Sequence, residues 1–403
     1  MPIVLPTDDV LLAIREPLTT SLRRGTPLVW ASGDGRERRA LLGWGERFRA
    51  TARGPERFAA LSAAFREHVA ATRADGGPAP LAFVTVTFSP DSATDSVLVV
   101  PDVVGRWHSG QLELPAAGVP EPSEPAEFEE LDFRAGSLTR EQYRRAVARA
   151  VGLIADGEVE KIVLARDLEA VATHPIDLPA VLARLQYANP ESWTFHVDGM
   201  FGSSPELLAA VHGRSVYSRV LAGSAPVTGR PDADAAAASD LMGSGKDHAE
   251  HAYAARSVAD RLASVAEVRA GEPEVLRLPT IMHLSTEVTG TLTQDLSALD
   301  VAALVHPSAA VCGTPTERAR DLIAELEGLD RGRYAGPVGW VDAEGNGQFA
   351  IALRSGQLAA DGCSVRLFAG GGIVDGSIPN EELAETAQKF LPMYQALSPV
   401  ARP

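Results

Sequence analysis

Alternating apolar and polar positions mark strands at several places along the chain. LAFVTVTF (81–88) and SVLVVPDVV (96–104), separated by SPDSATD, read as a β-hairpin or meander. KIVLARDL (161–168) and RLFAGGGIV (366–374) read as further strands, the second running into a glycine patch. GPVGWVDAEGNGQFAIALRSGQL (336–358) predicts a hairpin turning at Glu344-Gly345-Asn346-Gly347. Elsewhere a helical period takes over. Thr139 and Gln142 have capping-box spacing, Tyr143, Val147, Ala150, Val151 and Ile154 follow at helical intervals, and Gly157 ends the helix. A second helix is expected from about Lys246 through DHAEHAYAARSVADRLASV, and Asn380 is expected to cap a third over EELAETAQKFLPMYQAL. In that last helix Leu383, Ala387, Phe390 and Tyr394 form the expected core stripe. Hairpins with separated helices, and no strict βαβ alternation, predict an α+β fold of antiparallel sheets with helices outside.

Composition narrows the class. At roughly 100–200 residues per domain, the 403 residues admit two or three domains or one large unit. The main shift in composition is AAGVPEPSEPAEFEE (116–130), which reads as an extended connector. The absence of a fixed-period repeat excludes solenoids and propellers. A net charge of −16 argues against nucleic-acid or anionic-membrane partners, which require a basic surface. Cys312 and Cys363 are too few for a disulfide framework and fit a reducing compartment. MPIVLPTDDV lacks the basic start and apolar core of a signal peptide, and no apolar run approaches the ~18 residues of a membrane span. A cytoplasmic protein is expected.

The chemistry-bearing residues sit in the second two-thirds of the chain. Glu382, Glu385 and Lys389 share one face of the last helix, and Asp247 and Glu250 repeat the i, i+3 carboxylate spacing on the second. Two such helices can cage a hard cation such as Mg²⁺, although carboxylate pairs are also common on solvated helix faces. Lys161 opens a strand that is apolar on both faces, where a lysine more often snorkels from the strand end; if it is buried instead, desolvation favours the neutral amine and a general base. Glu206 follows a proline before an apolar run. Arg354 shares a strand face with the small Ala350 and Ala352, which leaves room for a carboxylate ligand, although an ordinary salt bridge is the default for such an arginine. AGGGIV (369–374) can bring backbone N–H groups close to an anion but does not fit a dinucleotide fingerprint. His248, His251, His283 and His306 lack zinc-site spacing.

Taken in order, EKIVLARDL, SSPELL, VLAGSA, SGKDHAEH, HLSTEVTG, VHPSAAVCGTP, DRGRYAGPVGWVDAEGNGQFAIALRSG, FAGGGIV and ELAETAQK resemble the chorismate-utilising enzymes, and among them the isochorismate synthases most closely. The resemblance covers residues from about 135 to the end, roughly two-thirds of the chain. It implies one chorismate-binding domain over 1–403, two large antiparallel sheets with helices outside, in which residues 1–130 are the less recognisable part. It further implies that Lys161 is the general base and Glu206 the general acid, and that Glu250 and Glu385 ligate Mg²⁺ directly while Asp247 and Glu382 hold its waters. Tyr334 and Arg354 would grip the enolpyruvyl carboxylate, with Lys389 nearby. Gly370 and Gly372 would donate backbone hydrogen bonds, and Gly223, Ser224 and His306 would lie near the ring.

The implied reaction is Mg²⁺-dependent water addition at C2 of chorismate with loss of the C4 hydroxyl. Lysine at 161, where aminating relatives carry glutamine, favours water as nucleophile and no glutaminase subunit; Ala222 in LAGSA argues against aminodeoxychorismate synthases. Salicylate synthases, which go on to eliminate pyruvate, share Lys161 and Glu206 and are the alternative, as is a non-catalytic chorismate-binding homologue. VCGTP and GWVDAEGNG resemble isochorismate synthases of the catecholate-siderophore type more than salicylate synthases. Ser308 departs from the more usual threonine but keeps a hydroxyl. A monomer is expected, serving siderophore, menaquinone or salicylate-derived biosynthesis.

Overall fold

The structure is a computed structural model that describes residues 22–33, 38–108, 111–114, 118–124 and 130–398. Two antiparallel sheets dominate it, as expected. The first runs, edge to edge, Gly313–Thr314, Lys161–Val171, Ser364–Ile373, Ser355–Leu358, Met200–Ser204, Trp193–Val197, Leu28–Gly33, Arg38–Trp44, Val103–His108 and Gln111–Glu113; Asp132–Ala135 pairs with the far end of Lys161–Val171. The second runs Ala266–Ala270, Ile281–Leu292, Ser215–Pro226, Leu207–His212, Gly347–Ile351, Pro337–Asp342, Leu81–Thr85, Ser96–Val100 and Phe48–Ala52.

Strands from residues 28–108 enter both sheets, because Leu28–Gly33 pairs with Trp193–Val197 and Leu81–Thr85 pairs with Pro337–Asp342. The central core joins apolar residues of the two sheets, among them Phe83, Ile162, Phe195 and Phe349. Trp30 Nε1 crosses it to donate to Gln348 Oε1 at 2.9 Å. A second core, with Val181, Phe201, Leu367, Phe390 and Met393, fixes the helices Leu178–Ala188 and Pro379–Leu397 to the first sheet.

Most local expectations agree with the elements. Thr139 and Gln142 form the capping box of helix Arg140–Ala155, whose buried residues include Tyr143, Val147 and Ala150. Gly157, at φ 76°, follows the helix end. Residues 118–124 of the connector are irregular and mostly exposed, and Pro120 O accepts from Arg24 Nη1 at 2.9 Å. Its residues 116–117 and 125–129 lie outside the described residues.

Four expectations are corrected. Leu81–Thr85 and Ser96–Val100 form the hairpin, but Val103–His108 leaves it for the first sheet, since Pro101 has no N–H to continue the ladder. Ser355–Leu358 likewise leaves the 336–358 hairpin and joins the first sheet. Asn380 does not cap the last helix: Ile378 holds that position, Pro379 starts the helix, and Asn380 Oδ1 accepts from Arg144 Nη1 at 3.1 Å. The buried stripe of that helix is Glu382, Thr386, Phe390 and Met393, while Ala387 is exposed and Leu383 and Tyr394 are half-buried. The helix packs on Ser364–Ile373, where consecutive glycines leave space for its acidic face.

Candidate active site

Two steps between the sheets bring separate parts of the chain together. Glu206 lies where Met200–Ser204 of the first sheet passes to Leu207–His212 of the second, and Arg354 where Gly347–Ile351 passes back to Ser355–Leu358. The steps are bonded to one another: Ile351 N donates to Glu206 O at 3.2 Å and Ser203 N to Arg354 O at 3.1 Å. Arg354 has φ 47°, in the left-handed region that costs a side-chain-bearing residue energy, and so is held by its surroundings.

These residues open onto a cleft of ≈ 600 Å³, its open mouth included. Glu206, Gly223, Ser224, Glu250, Tyr334, Arg354, Gly370, Gly372, Glu385 and Lys389 all line it. Lys161 is fully buried at its edge, with Nζ 3.4 Å from both Glu250 Oε1 and Glu250 O. The glycine strand forms one wall. A Cβ on Gly372 would stand 2.1 Å from Glu250 Oε1 and 3.1 Å from Lys161 Cε. A Cβ on Gly371 would stand 3.3 Å from Glu382 Oε2 and 3.5 Å from Glu385 Oε1. Glycine at 372 is what lets Glu250 come this near the strand, and at 371 it keeps Glu382 and Glu385 uncrowded.

Asp247 and Glu382 border the cleft. Gly223, at φ +70°, packs against Asp247, and Glu382 is 2% exposed with its Oε1 accepting from Lys246 Nζ at 3.1 Å. Lys389 Nζ donates to Gly370 O at 2.9 Å and pairs with Glu385 Oε1 at 2.5 Å.

Burial sets the protonation states. It pushes the Glu206 carboxyl up to about 8, against the weaker opposing pull of Leu221 N, Lys161, Lys389 and Arg354, so the group is an acid at neutral pH. Burial also pushes the Tyr334 phenol up to about 12; its ring stacks on Phe368 at 4.8 Å and it remains a hydrogen-bond donor. Burial raises Glu382, reinforced by the neighbouring Glu385 charge. In Glu385 burial is outweighed by Lys389 and Ser224, and the carboxyl lies below its ordinary value. Desolvation lowers Arg354, for which no carboxylate partner stands within ion-pair distance among the described residues. A guanidinium left in this state is a ready receptor for an anionic ligand.

Not every expected residue reaches the cleft. His306 ends helix Ala298–Val305, packs against Phe58 and Phe88 at ring distances of 5.8 and 5.9 Å, and bonds Phe88 O through Nε2 at 3.0 Å. His283 lines the cleft instead. Burial holds its imidazole well below the usual value, so it is neutral; Nε2 accepts from Arg354 Nη2 at 3.1 Å and Nδ1–H donates to Gly223 O at 3.1 Å. Arg331, also unassigned from sequence, lines the floor. It forms a fully buried ion pair with Glu327 and donates to Val163 O at 2.7 Å and Val311 O at 2.9 Å, while Glu327 Oε1 accepts from Ala165 N at 2.6 Å. His283 stands opposite Ser224 in strand register and Arg331 lies four residues after Glu327; the first relation needs the pairing, and only the second is visible as sequence spacing.

Among the described residues no three His, Cys, Asp or Glu side chains stand close enough together to hold a metal by themselves. The donor set is nevertheless all oxygen, which suits a hard ion that takes one or two carboxylates and fills its shell with water and substrate.

Two large antiparallel sheets with an acid-bearing cleft between them define a class, and the chain belongs to it: the chorismate binding enzyme family, whose model matches residues 111–398. The isochorismate synthase DhbC of Bacillus subtilis is 35% identical over 365 residues, covering 85% of this chain and 87% of its own. The solved structure of DhbC from Bacillus anthracis matches with a TM-score of 0.79 and 30% identity over 96% of this chain and 98% of that one. Anthranilate synthase component I from Streptococcus pneumoniae shares the fold, with a TM-score of 0.72 and 21% identity over 89% and 92% of the two chains. No helix among the described residues is long and apolar enough to cross a membrane.

Proposed function

We propose that the protein is an isochorismate synthase, an isomerase that adds water at C2 of chorismate and expels the C4 hydroxyl. The observation that carries this reading is the buried Glu206, its carboxyl raised to about 8, in a cleft that also holds Arg354, an arginine with no carboxylate partner among the described residues, with the buried Lys161 at the cleft's edge. Lys161 Nζ takes a proton from the attacking water, and Glu206 gives its proton to the departing hydroxyl, which leaves as water. Arg354 receives a substrate carboxylate, Tyr334 donates to the same group, and Lys389 adds positive potential. Burial of Lys161, Glu206 and Arg354 excludes bulk water, which strengthens each of these interactions.

Glu250 and Glu385 would hold Mg²⁺ directly, with Asp247 and Glu382 holding its waters. When bound, the ion supplies charge to anchor the ring carboxylate and to offset negative charge that develops in the conjugated system. With water as nucleophile the reaction calls for no glutaminase subunit. Chorismate and Mg²⁺ with the purified protein should yield isochorismate without stoichiometric pyruvate. A pyruvate-coupled NADH assay decides it: pyruvate released in step with chorismate loss would make the protein a salicylate synthase instead.

A further inference from the structure

Three lysines face the carboxylates of the cleft, and they differ in how they are held. Lys161 is fully buried and Lys389 is 13% exposed with a second bond to Gly370 O, so both are fixed by their surroundings. Lys246 is different. It rises from the first turn of helix Gly245–Leu262, its side chain is 37% exposed, and Nζ is held by Glu382 Oε1 at 3.1 Å. Its electrostatic neighbours are Glu382, Glu250 and Asp247, and its charge also acts on Glu385. One partly exposed ammonium on a four-carbon stem thus bonds Glu382 and adds its charge to the field at Glu250, Asp247 and Glu385.

Carboxylates gathered in this way need counter-charge: Lys161 stands beside Glu250 and Lys389 beside Glu385, and Lys246 is the partner of the buried Glu382. From this arrangement we infer that Lys246 is a displaceable internal counter-cation: it holds the carboxylate cluster together in the metal-free protein and gives way when the divalent ion enters. The inference rests on the Mg²⁺ reading above. Its thermodynamic consequence is a handicap on metal affinity. Whatever the lysine contributes to the metal-free state must be given up on binding, so removing it should strengthen binding even as it weakens the empty protein.

Calorimetric titration of the purified protein with Mg²⁺ alone tests this. Lys246→Met should bind Mg²⁺ roughly fivefold tighter than the wild type, the scale of a partly exposed ion pair. Lys246→Arg, which keeps the charge, should bind within about twofold of wild type. In chelator, Lys246→Met should melt below the wild type, and saturating Mg²⁺ should raise its melting temperature by more. Equal or weaker Mg²⁺ binding by Lys246→Met, with the wild type binding normally, overturns the inference and leaves the metal reading standing. Absence of Mg²⁺ binding by the wild type overturns both.

Discussion

Arg354 Nη2 meets His283 Nε2 at 3.1 Å, and the opposite nitrogen of that imidazole donates to Gly223 O. Because arginine can only donate, the contact fixes the His283 tautomer, and the neutral ring orients the guanidinium without neutralising it. A carboxylate in this position would cancel the charge the substrate needs. Replacing His283 by alanine should raise the chorismate KM roughly tenfold, the scale of a hydrogen bond to a charged group, while kcat falls less than about threefold. His283→Gln, which retains an acceptor, should recover part of the loss. A collapse of kcat with KM unchanged would mean that the imidazole acts on the reacting bonds and not through Arg354.

Glu206 sets a limit on the alkaline side. Its carboxyl is pushed up to about 8 by burial and must be protonated to act as an acid, so activity should fall as pH rises through about 8. The same shift bears on stability. The folded-state value lies above the unfolded one, so the contribution of this group is fully present below the ordinary carboxyl value of 4.5 and is lost as pH rises through about 8. Glu206→Gln should therefore be nearly inactive yet lose less stability than the wild type between about pH 5 and 9, as read from denaturant midpoints. A variant whose stability falls as steeply as the wild type over that range would show that the carboxyl is not desolvated.

The contrast between Arg140–Ala155 and Pro379–Leu397 shows what was legible in the sequence. The first helix declares itself through contacts three and four residues apart, a capping box and a core stripe, all local. The last also declares its helicity, but the usual rule for its faces fails: Ala387 is exposed and Glu382 buried, because the partner surface is a glycine strand rather than an apolar one. Spacing alone favours a solvated face for Glu382 and Glu385, and only the family resemblance points to them as metal-site residues. The departures of Val103–His108 toward Arg38–Trp44 and of Ser355–Leu358 toward Met200–Ser204, and the place of His283 opposite Ser224, depend on strand partners far away in the sequence, which no local pattern encodes. His306 was named from resemblance, and its place beside Phe88 follows from tertiary packing.

Lys161 and Glu250 should separate by function. Lys161→Ala should lower isochorismate formation by at least about 100-fold, the usual reach of a general base, with Mg²⁺ binding retained in calorimetry. Glu250→Gln should instead weaken Mg²⁺ binding and lose metal-dependent turnover while its circular dichroism is unchanged. An active Lys161→Ala variant removes that lysine from the role of base, and unchanged turnover in Glu250→Gln removes the metal assignment.

Glu327 and Arg331 should matter first for stability. Their ion pair is fully buried and ties Val163, Ala165 and Val311 backbone groups together next to Lys161. Truncating one partner strands the other charge, so Glu327→Ala should destabilise the protein by about 3–5 kcal/mol in urea unfolding. The double variant Glu327→Leu/Arg331→Met should be less destabilised than that single one. A loss below about 1 kcal/mol in the single variant would mean that water reaches the remaining guanidinium.

The glycine strand offers a test that distinguishes cost to the fold from cost to the site. A Cβ on Gly372 would overlap Glu250 Oε1 at 2.1 Å, but that atom is the free end of a flexible side chain and can swing aside. A Cβ on Gly370 would press Leu164 O at 2.9 Å, a backbone atom held in the sheet. On Gly371 the nearest atoms are carboxylate oxygens at 3.3 and 3.5 Å, which need move only slightly. Gly372→Ala should therefore melt close to the wild type while Mg²⁺-dependent activity falls by more than about tenfold, because Glu250 no longer stands beside Lys161. Gly371→Ala should retain most of its activity, and Gly370→Ala should lose about 1–3 kcal/mol of stability from overpacking. Full activity in Gly372→Ala would show that the position of Glu250 against the strand is not the one used in turnover.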